Sequence, residues 1–302
     1  MTTSTLERRL ERAVAALRAL PPRAAIGTET RRLWRAEIAG SVRLAGVSLT
    51  AGEVDALLDR GIARGDHPFD GYVLVRAYAQ ASRWVAAQPR REAGDPAPLV
   101  TVEAIRRLNG LARGVSGGGA WRTGNRPVRE GIVAPAAWLV PREVEAYALR
   151  AGRGPGEGSL AGWLARSLSQ LTRIAPFDEA NGRTARLTLN LLLRRLDLPP
   201  LTIDPRRAAA FRRALVRAEA GELEALAAAM AGILVRNIDR LRAAAEGGDD
   251  LAPLRALAGE RYGALAKAAQ RGSLRTVRRG GRYYTRPAWI AAYLTRRSAS
   301  GD

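Results

Sequence analysis

Ala175-Pro176-Phe177-Asp178-Glu179-Ala180-Asn181-Gly182-Arg183-Thr184-Ala185-Arg186 is the stretch on which the fold turns. Upstream, Leu160, Trp163, Leu164, Leu168, Leu171 and Ile174 recur at helical spacing. Pro176 disfavours helical geometry at Ala175, which places a helix end there. Downstream, Thr184 to Leu196 is again helical, with Leu187, Leu189, Leu191, Leu192, Leu193 and Leu196 apolar. Between the two, Asp178 to Gly182 reads as a turn, because Asn181 and Gly182 tolerate left-handed backbone angles. A turn that runs straight into a helix presents backbone N–H groups without acceptors, and the helix dipole adds partial positive charge. Such a place seats phosphate. Arg183 and Arg186 are three apart, share a helix face and carry forked donors suited to phosphate oxygens. Glu179 offers a hard oxygen to Mg2+ arriving on a nucleotide.

The segment resembles the active-site motif of the Fic (Fido) family, His-x-Phe-x-Asp/Glu-Gly/Ala-Asn-Gly/Lys-Arg-x-x-Arg. Every defining position matches except the first, where Ala175 stands in place of the catalytic histidine. Gly117-Gly118-Gly119-Ala120-Trp121-Arg122-Thr123 is similar to the family's segment leading into a flap. Gly131-Ile132-Val133-Ala134-Pro135 and then Val140-Pro141-Arg142-Glu143-Val144 resemble the flap and the helix after it. The resemblance spans residues 100 to 245 and part of the N-terminal region.

The resemblance implies an all-α fold: a Fic-type helical bundle with a short β-hairpin flap formed from Val128, Gly131, Ile132 and Val133, which would align a target protein. The family reaction moves AMP from ATP, with Mg2+, to a hydroxyl of a target protein. By position, Phe177 would anchor the loop and Asp178 and Ala180 would complete it. Glu179 would coordinate Mg2+, Asn181 and Gly182 would cradle the α- and β-phosphates, and Arg183 and Arg186 would hold the phosphate tail. The missing histidine would have deprotonated the attacking hydroxyl, a role that needs a group titrating near neutral pH. Alanine has no proton acceptor. Ser41-Val42-Arg43-Leu44-Ala45-Gly46 looks like the family's inhibitory-helix segment, with Ala45 where its glutamate would stand. The base and the brake are thus both absent, a coherent pair. The only histidine, His67, reads as a loop or helix-start residue.

Composition sets the outer bounds. With 302 residues and 47% hydrophobic content the chain can bury a sizeable core. The absence of cysteine excludes disulfides and thiol chemistry, and with one histidine a structural zinc site is implausible. No apolar run approaches the length of a membrane span. Met1 to Leu20 reads as a charged amphipathic helix rather than a signal peptide, so the expected location is the cytoplasm. Forty-nine basic residues face 29 acidic ones, a net charge of +20 that favours polyanionic partners.

The charge is uneven. Residues 251 to 302 carry ten Arg and one Lys against Glu260 and Asp302, a net +9. Here two short helices across Gly259 precede a hairpin from Leu274 to Thr285, turning at Gly280-Gly281, and a closing helix from Pro287. This resembles a winged helix-turn-helix, with Arg275, Arg278, Arg279 and Arg282 as the expected DNA contacts. The expected organisation is an N-terminal helical region over 1–105, a Fic core over 106–246 and this module over 251–302, with a linker at Gly247 to Asp250. Three functions stay open: a nucleotide binder that has lost transfer, a transferase whose base comes from elsewhere, and a DNA-binding regulator or antitoxin-like scaffold, with self-association possible in each.

Overall fold

The computed structural model describes residues 3–20, 24–114, 119–125, 127–129, 132–156, 158–245 and 251–299. Contacts divide the chain into two units: Met1–Arg18 with Thr30–Ile238, and Ala19–Glu29 with Asp239–Asp302. The helices are α1 (Thr3–Arg18), α2 (Ala24–Leu44), α3 (Ala51–Arg60), α4 (Phe69–Ala86), α5 (Val102–Arg113), α6 (Val140–Arg153), α7 (Leu160–Ile174), α8 (Asn181–Arg195), α9 (Ala208–Glu219) and α10 (Glu224–Ala245), then α11 (Leu254–Ala258), α12 (Tyr262–Gln270) and α13 (Pro287–Ala299). The all-α expectation is met.

In the larger unit, α8 is the central element. Its residues from Thr184 through Leu193 are all buried, and α4, α5 and α7 pack against it. A helix enclosed on every side must be apolar all round or have its polar groups satisfied. The leucine run supplies the first condition. Asn190 meets the second by donating to Glu37 and accepting from the Leu201 N–H. Each enclosed leucine contributes about 1.5–3 kcal/mol. Helix starts are fixed locally. Thr50 and Glu53 form a reciprocal capping box on α3. Thr101 caps α5, and Ser159 caps α7 while donating to Glu7. Gly40 lets α2 pass Ile203, since a Cβ there would lie 2.2 Å from the Ile203 carbonyl oxygen.

Between α5 and α6 lies the expected hairpin: β1 (Pro127–Arg129) pairs antiparallel with β2 (Ile132–Val133), with an irregular register. Ile132 is half-buried and Val133 is exposed. Of the other residues expected to form the flap, Gly131 and the Val128 side chain lie outside the described residues, as does the expected linker at Gly247 to Asp250.

The smaller unit has its own core of Leu254, Ala258, Leu265, Ala268, Ala269 and Leu274, with Tyr283, Ile290 and Tyr293 packed on it. β4 (Val277–Arg279) and β5 (Arg282–Thr285) form the expected Gly-Gly hairpin. A third strand, β3 (Ala252–Pro253), pairs with the other side of β5 and was not legible in the sequence. It is two residues long, and Pro253 is tolerated because β3 is an edge. Glu29, also in this unit, is buried and accepts a 2.6 Å bond from Arg240. Among the described residues no helix is long and apolar enough to cross a membrane.

Candidate functional site

The chain leaves α7 and enters α8 within six residues, and it does so through left-handed backbone. Ala175 has φ 44° and ψ 62°, and Ala180 has φ 62° and ψ 16°. Among the described residues only Asp197 shares this property without being glycine. Each such residue costs about 1–2 kcal/mol, and strain of this kind clusters at functional sites. The sequence places the turn at Asn181-Gly182, and here the structure corrects it. Both residues belong to the first turn of α8, and the left-handed positions are the two alanines. The reason is the Asn181 side chain. Its Oδ1 accepts from the Phe177 N–H at 2.9 Å and its Nδ2 donates to the Phe177 carbonyl at 2.7 Å, closing the loop from inside. Phe177 is buried and stacks on Trp121, with centroids 5.2 Å apart.

Arg122 fastens the rest. It is 2% exposed and donates to the carbonyls of Ala175 and Gly124 at 2.9 and 2.8 Å and to that of Pro135, while its own N–H bonds the Pro176 carbonyl. Asn109 on α5 does the same from the opposite end. It donates to the Glu179 carbonyl and to Thr184 Oγ1 and accepts from the Gly119 N–H. Neither role was assigned from the sequence. Asn109 could have been found, since it sits among the apolar positions Ile105, Leu108 and Ala112 of an amphipathic helix.

The N-terminus of α8 carries no side-chain cap, so its first N–H groups have neither an intrahelical acceptor nor a capping oxygen. Around it stand the residues singled out from the sequence. The Glu179 carboxylate is exposed and 3.5 Å from Arg113 Nε. Asp178 is exposed, and Ala180 is half-buried. Arg183 donates to the Ala112 carbonyl at 2.6 Å. Burial first, and the adjacent Arg186 charge second, lower its pKa from the usual arginine value, with Glu179 opposing. Among the described residues no group of three or more His, Cys, Asp or Glu side chains is placed to hold a metal.

Arg186 is buried and turns toward α2. Its Nε donates to Ser41 Oγ at 3.0 Å and its Nη2 to the Ser41 carbonyl at 2.9 Å, while its Nη1 lies against Gly182. Ser41 in turn donates to Glu37 Oε1 at 2.8 Å, and the same oxygen accepts from Tyr78 at 2.8 Å and Asn190 at 3.0 Å. Glu37 is 1% exposed, and its second oxygen has no partner. Burial outweighs the hydrogen bonds from Tyr78 and Ser41 and the charge of Arg186, and its pKa is pushed up to about 7. Burial also raises the Tyr78 pKa well above its usual value, so the phenol stays a donor. The sequence singled out Ser41, Ala45 and Gly46. Of these, Ser41 meets the motif, Ala45 is exposed with an apolar side chain, and Gly46 turns with φ 94°. Glu37 was not foreseen, although it continues the Leu33–Glu37–Ser41 stripe at four-residue spacing on a buried face.

His67 lies apart from this constellation in its contacts. Its partners are Ser48 at 3.1 Å, Glu53 at 3.2 Å and the edge of the Tyr72 ring, none of them in the loop. Of the four arginines expected at DNA, Arg278 and Arg282 are exposed in the smaller unit, and Arg275 lies over the Trp289 ring at 4.4 Å. The Arg279 side chain lies outside the described residues.

No family model matches the sequence, and no curated protein matches it. Solved structures do match the fold. A Fic domain-containing signaling protein from Bacteroides thetaiotaomicron is 20% identical, with a TM-score of 0.68 over 80% of this chain and 98% of that one. Fic-1 from C. elegans, residues 134–508, is 19% identical, with a TM-score of 0.69 over 80% of this chain and 71% of that one. A Fic family protein from Desulfovibrio desulfuricans is 19% identical, with a TM-score of 0.59 over 93% and 94%. At these identities the likeness establishes the fold.

Proposed function

We propose that the loop from Phe177 to Arg186 binds the phosphates of a nucleoside triphosphate, ATP by the resemblance, and that the chain has lost the AMP transfer usual for this fold. The observation that supports the reading most is the uncapped N-terminus of α8, reached through a loop that turns at two left-handed alanines. A phosphate there accepts from the N–H groups of the first turn and meets the positive end of the helix. Arg183 belongs to that first turn. It is partly desolvated beside Arg186, and an anion relieves both costs. Arg186 spends Nε and Nη2 on Ser41 and keeps Nη1 toward Gly182. A Mg2+ ion carried on the triphosphate keeps most of its ligands as water and phosphate oxygen. The exposed Glu179 carboxylate fits that demand as a single protein ligand. Bound there, Mg2+ would neutralise charge on the phosphates.

Transfer needs a group to take the proton of the attacking hydroxyl. Ala175 supplies none, and its carbonyl accepts from Arg122. The loss of one general base costs a reaction about 10²–10⁴-fold. Calorimetric titration with ATP and Mg2+ tests the reading: micromolar binding that disappears in Arg183→Ala supports it, and the absence of binding by the unaltered chain refutes it. Ala175→His then separates the two enzymatic alternatives. Strong AMP transfer by that variant shows a site intact except for its base, and none shows further drift.

A further inference from the structure

The arginines of the smaller unit fall into two groups. Arg275 and Arg286 have their guanidinium carbons 4.4 and 4.8 Å from the Trp289 centroid, and Arg286 is buried and bonded to the Ala243 carbonyl. These two are part of the packing. Arg255, Arg278 and Arg282 are exposed instead and line one cavity of about 640 Å3. Two tyrosines of the same wall hold two of them: Arg255 lies 5.9 Å from the Tyr262 centroid and Arg278 5.6 Å from that of Tyr283. A guanidinium over a ring keeps its N–H edge free to point outward.

Among the described residues, no carboxylate balances this hollow, and Arg255, Arg278 and Arg282 enter no ion pair. Glu260 is the only acidic residue between 251 and 299. Cations gathered without a counter-charge repel each other, and an arrangement of this kind suits a ligand that brings negative charge.

The hairpin narrows the choice of ligand. Its turn has φ 53° at Gly280 and 80° at Gly281, the double left-handed geometry that suits a tight two-residue turn. A Cβ added at either glycine would meet nothing within 4 Å, so the tip is not packed against the unit. Arg279 and Arg282 are Cα partners next to it. Beyond its pairing with β3, the end of the hairpin is two strands wide, and a two-stranded ribbon with arginines at its end suits the major groove of B-DNA, about 12 Å wide. Arginine forks match phosphate oxygens. Cations shared between a hairpin and a helix suit a row of phosphates better than one small anion.

We propose that this face binds the phosphodiester backbone of duplex DNA, with Arg278 and Arg282 on the hairpin and Arg255 on α11 as phosphate contacts. Arg255 and the two tyrosines join the set expected from the sequence, and Arg275 leaves it. The surface is independent of the nucleotide loop, so either reading can fail alone.

Fluorescence anisotropy of the full chain on a labelled duplex of about 20 base pairs, titrated across salt concentrations, tests it. Binding should weaken steeply with salt. In Arg278→Ala/Arg282→Ala the slope of log affinity against log salt should fall by about two, and in Arg255→Ala by about one. Arg278→Lys/Arg282→Lys should retain the slope, and all variants should melt as the parent does. No duplex binding at low salt overturns the proposal. So does an unchanged slope in the folded double alanine variant, tighter binding of single-stranded DNA, or displacement of the duplex by an equal charge of poly-glutamate.

Discussion

Replacing Glu37 with Gln probes the buried network behind Arg186. Glu37 is enclosed by α2, α4 and α8, faced by Tyr78, Ser41, Asn190 and the Arg186 charge. Three donors and a nearby cation favour the carboxylate, yet burial wins, and the pKa rises from its ordinary 4.5 to about 7. The folded protein therefore holds a proton there that the unfolded chain releases at lower pH. Stability from this group is complete below about pH 4.5 and is lost as pH rises through about 7. The difference corresponds to about 3 kcal/mol. Glu37→Gln removes the titration. The variant carries its own cost of about 1–3 kcal/mol at every pH, because its amide donor would replace an oxygen that has no partner. The informative quantity is consequently the change of stability with pH rather than its absolute value. Urea unfolding followed by circular dichroism between about pH 4 and pH 8 should show the parent losing about 3 kcal/mol more than the variant. Equal losses in the two proteins would refute a protonated Glu37 and the ordering of effects that places burial first.

Three further outcomes follow from the geometry. Gly40→Ala drives a methyl group into the Ile203 carbonyl, so denaturant unfolding should show a loss of about 1–3 kcal/mol, whereas an unchanged midpoint would mean α2 does not pass that close. Ala180→Gly removes the left-handed penalty at a half-buried position and should raise stability by about 0.5–1 kcal/mol; a decrease would show that φ 62° is not the ground state. Asn181→Ala deletes both bonds to Phe177 and should cost about 1–3 kcal/mol, with the loop amides exchanging hydrogen faster; unaltered exchange would show the loop closed by other contacts.

What the sequence determines here is local. The 3.6-residue spacing of leucines predicts α7 and α8, and Gly280-Gly281 marks the turn of the last hairpin. These follow from backbone preferences and from neighbours within one or two turns. The Asn181-Gly182 turn shows where such reasoning fails. Intrinsic tolerance of left-handed angles pointed to those residues, and a side chain bonded back to Phe177 moved the burden onto Ala175 and Ala180 instead. Tertiary structure alone decided what lies beyond that range. Ser41 and Arg186 are 145 residues apart and Glu37 and Asn190 are 153, so no local pattern pairs them. Burial turns Glu37 from an ordinary carboxylate into a group titrating near neutrality, and Arg122 gains its role only where α7 delivers unpaired carbonyls to it. Desolvation and long-range hydrogen bonding depend on what surrounds a side chain, and only the folded chain supplies those surroundings.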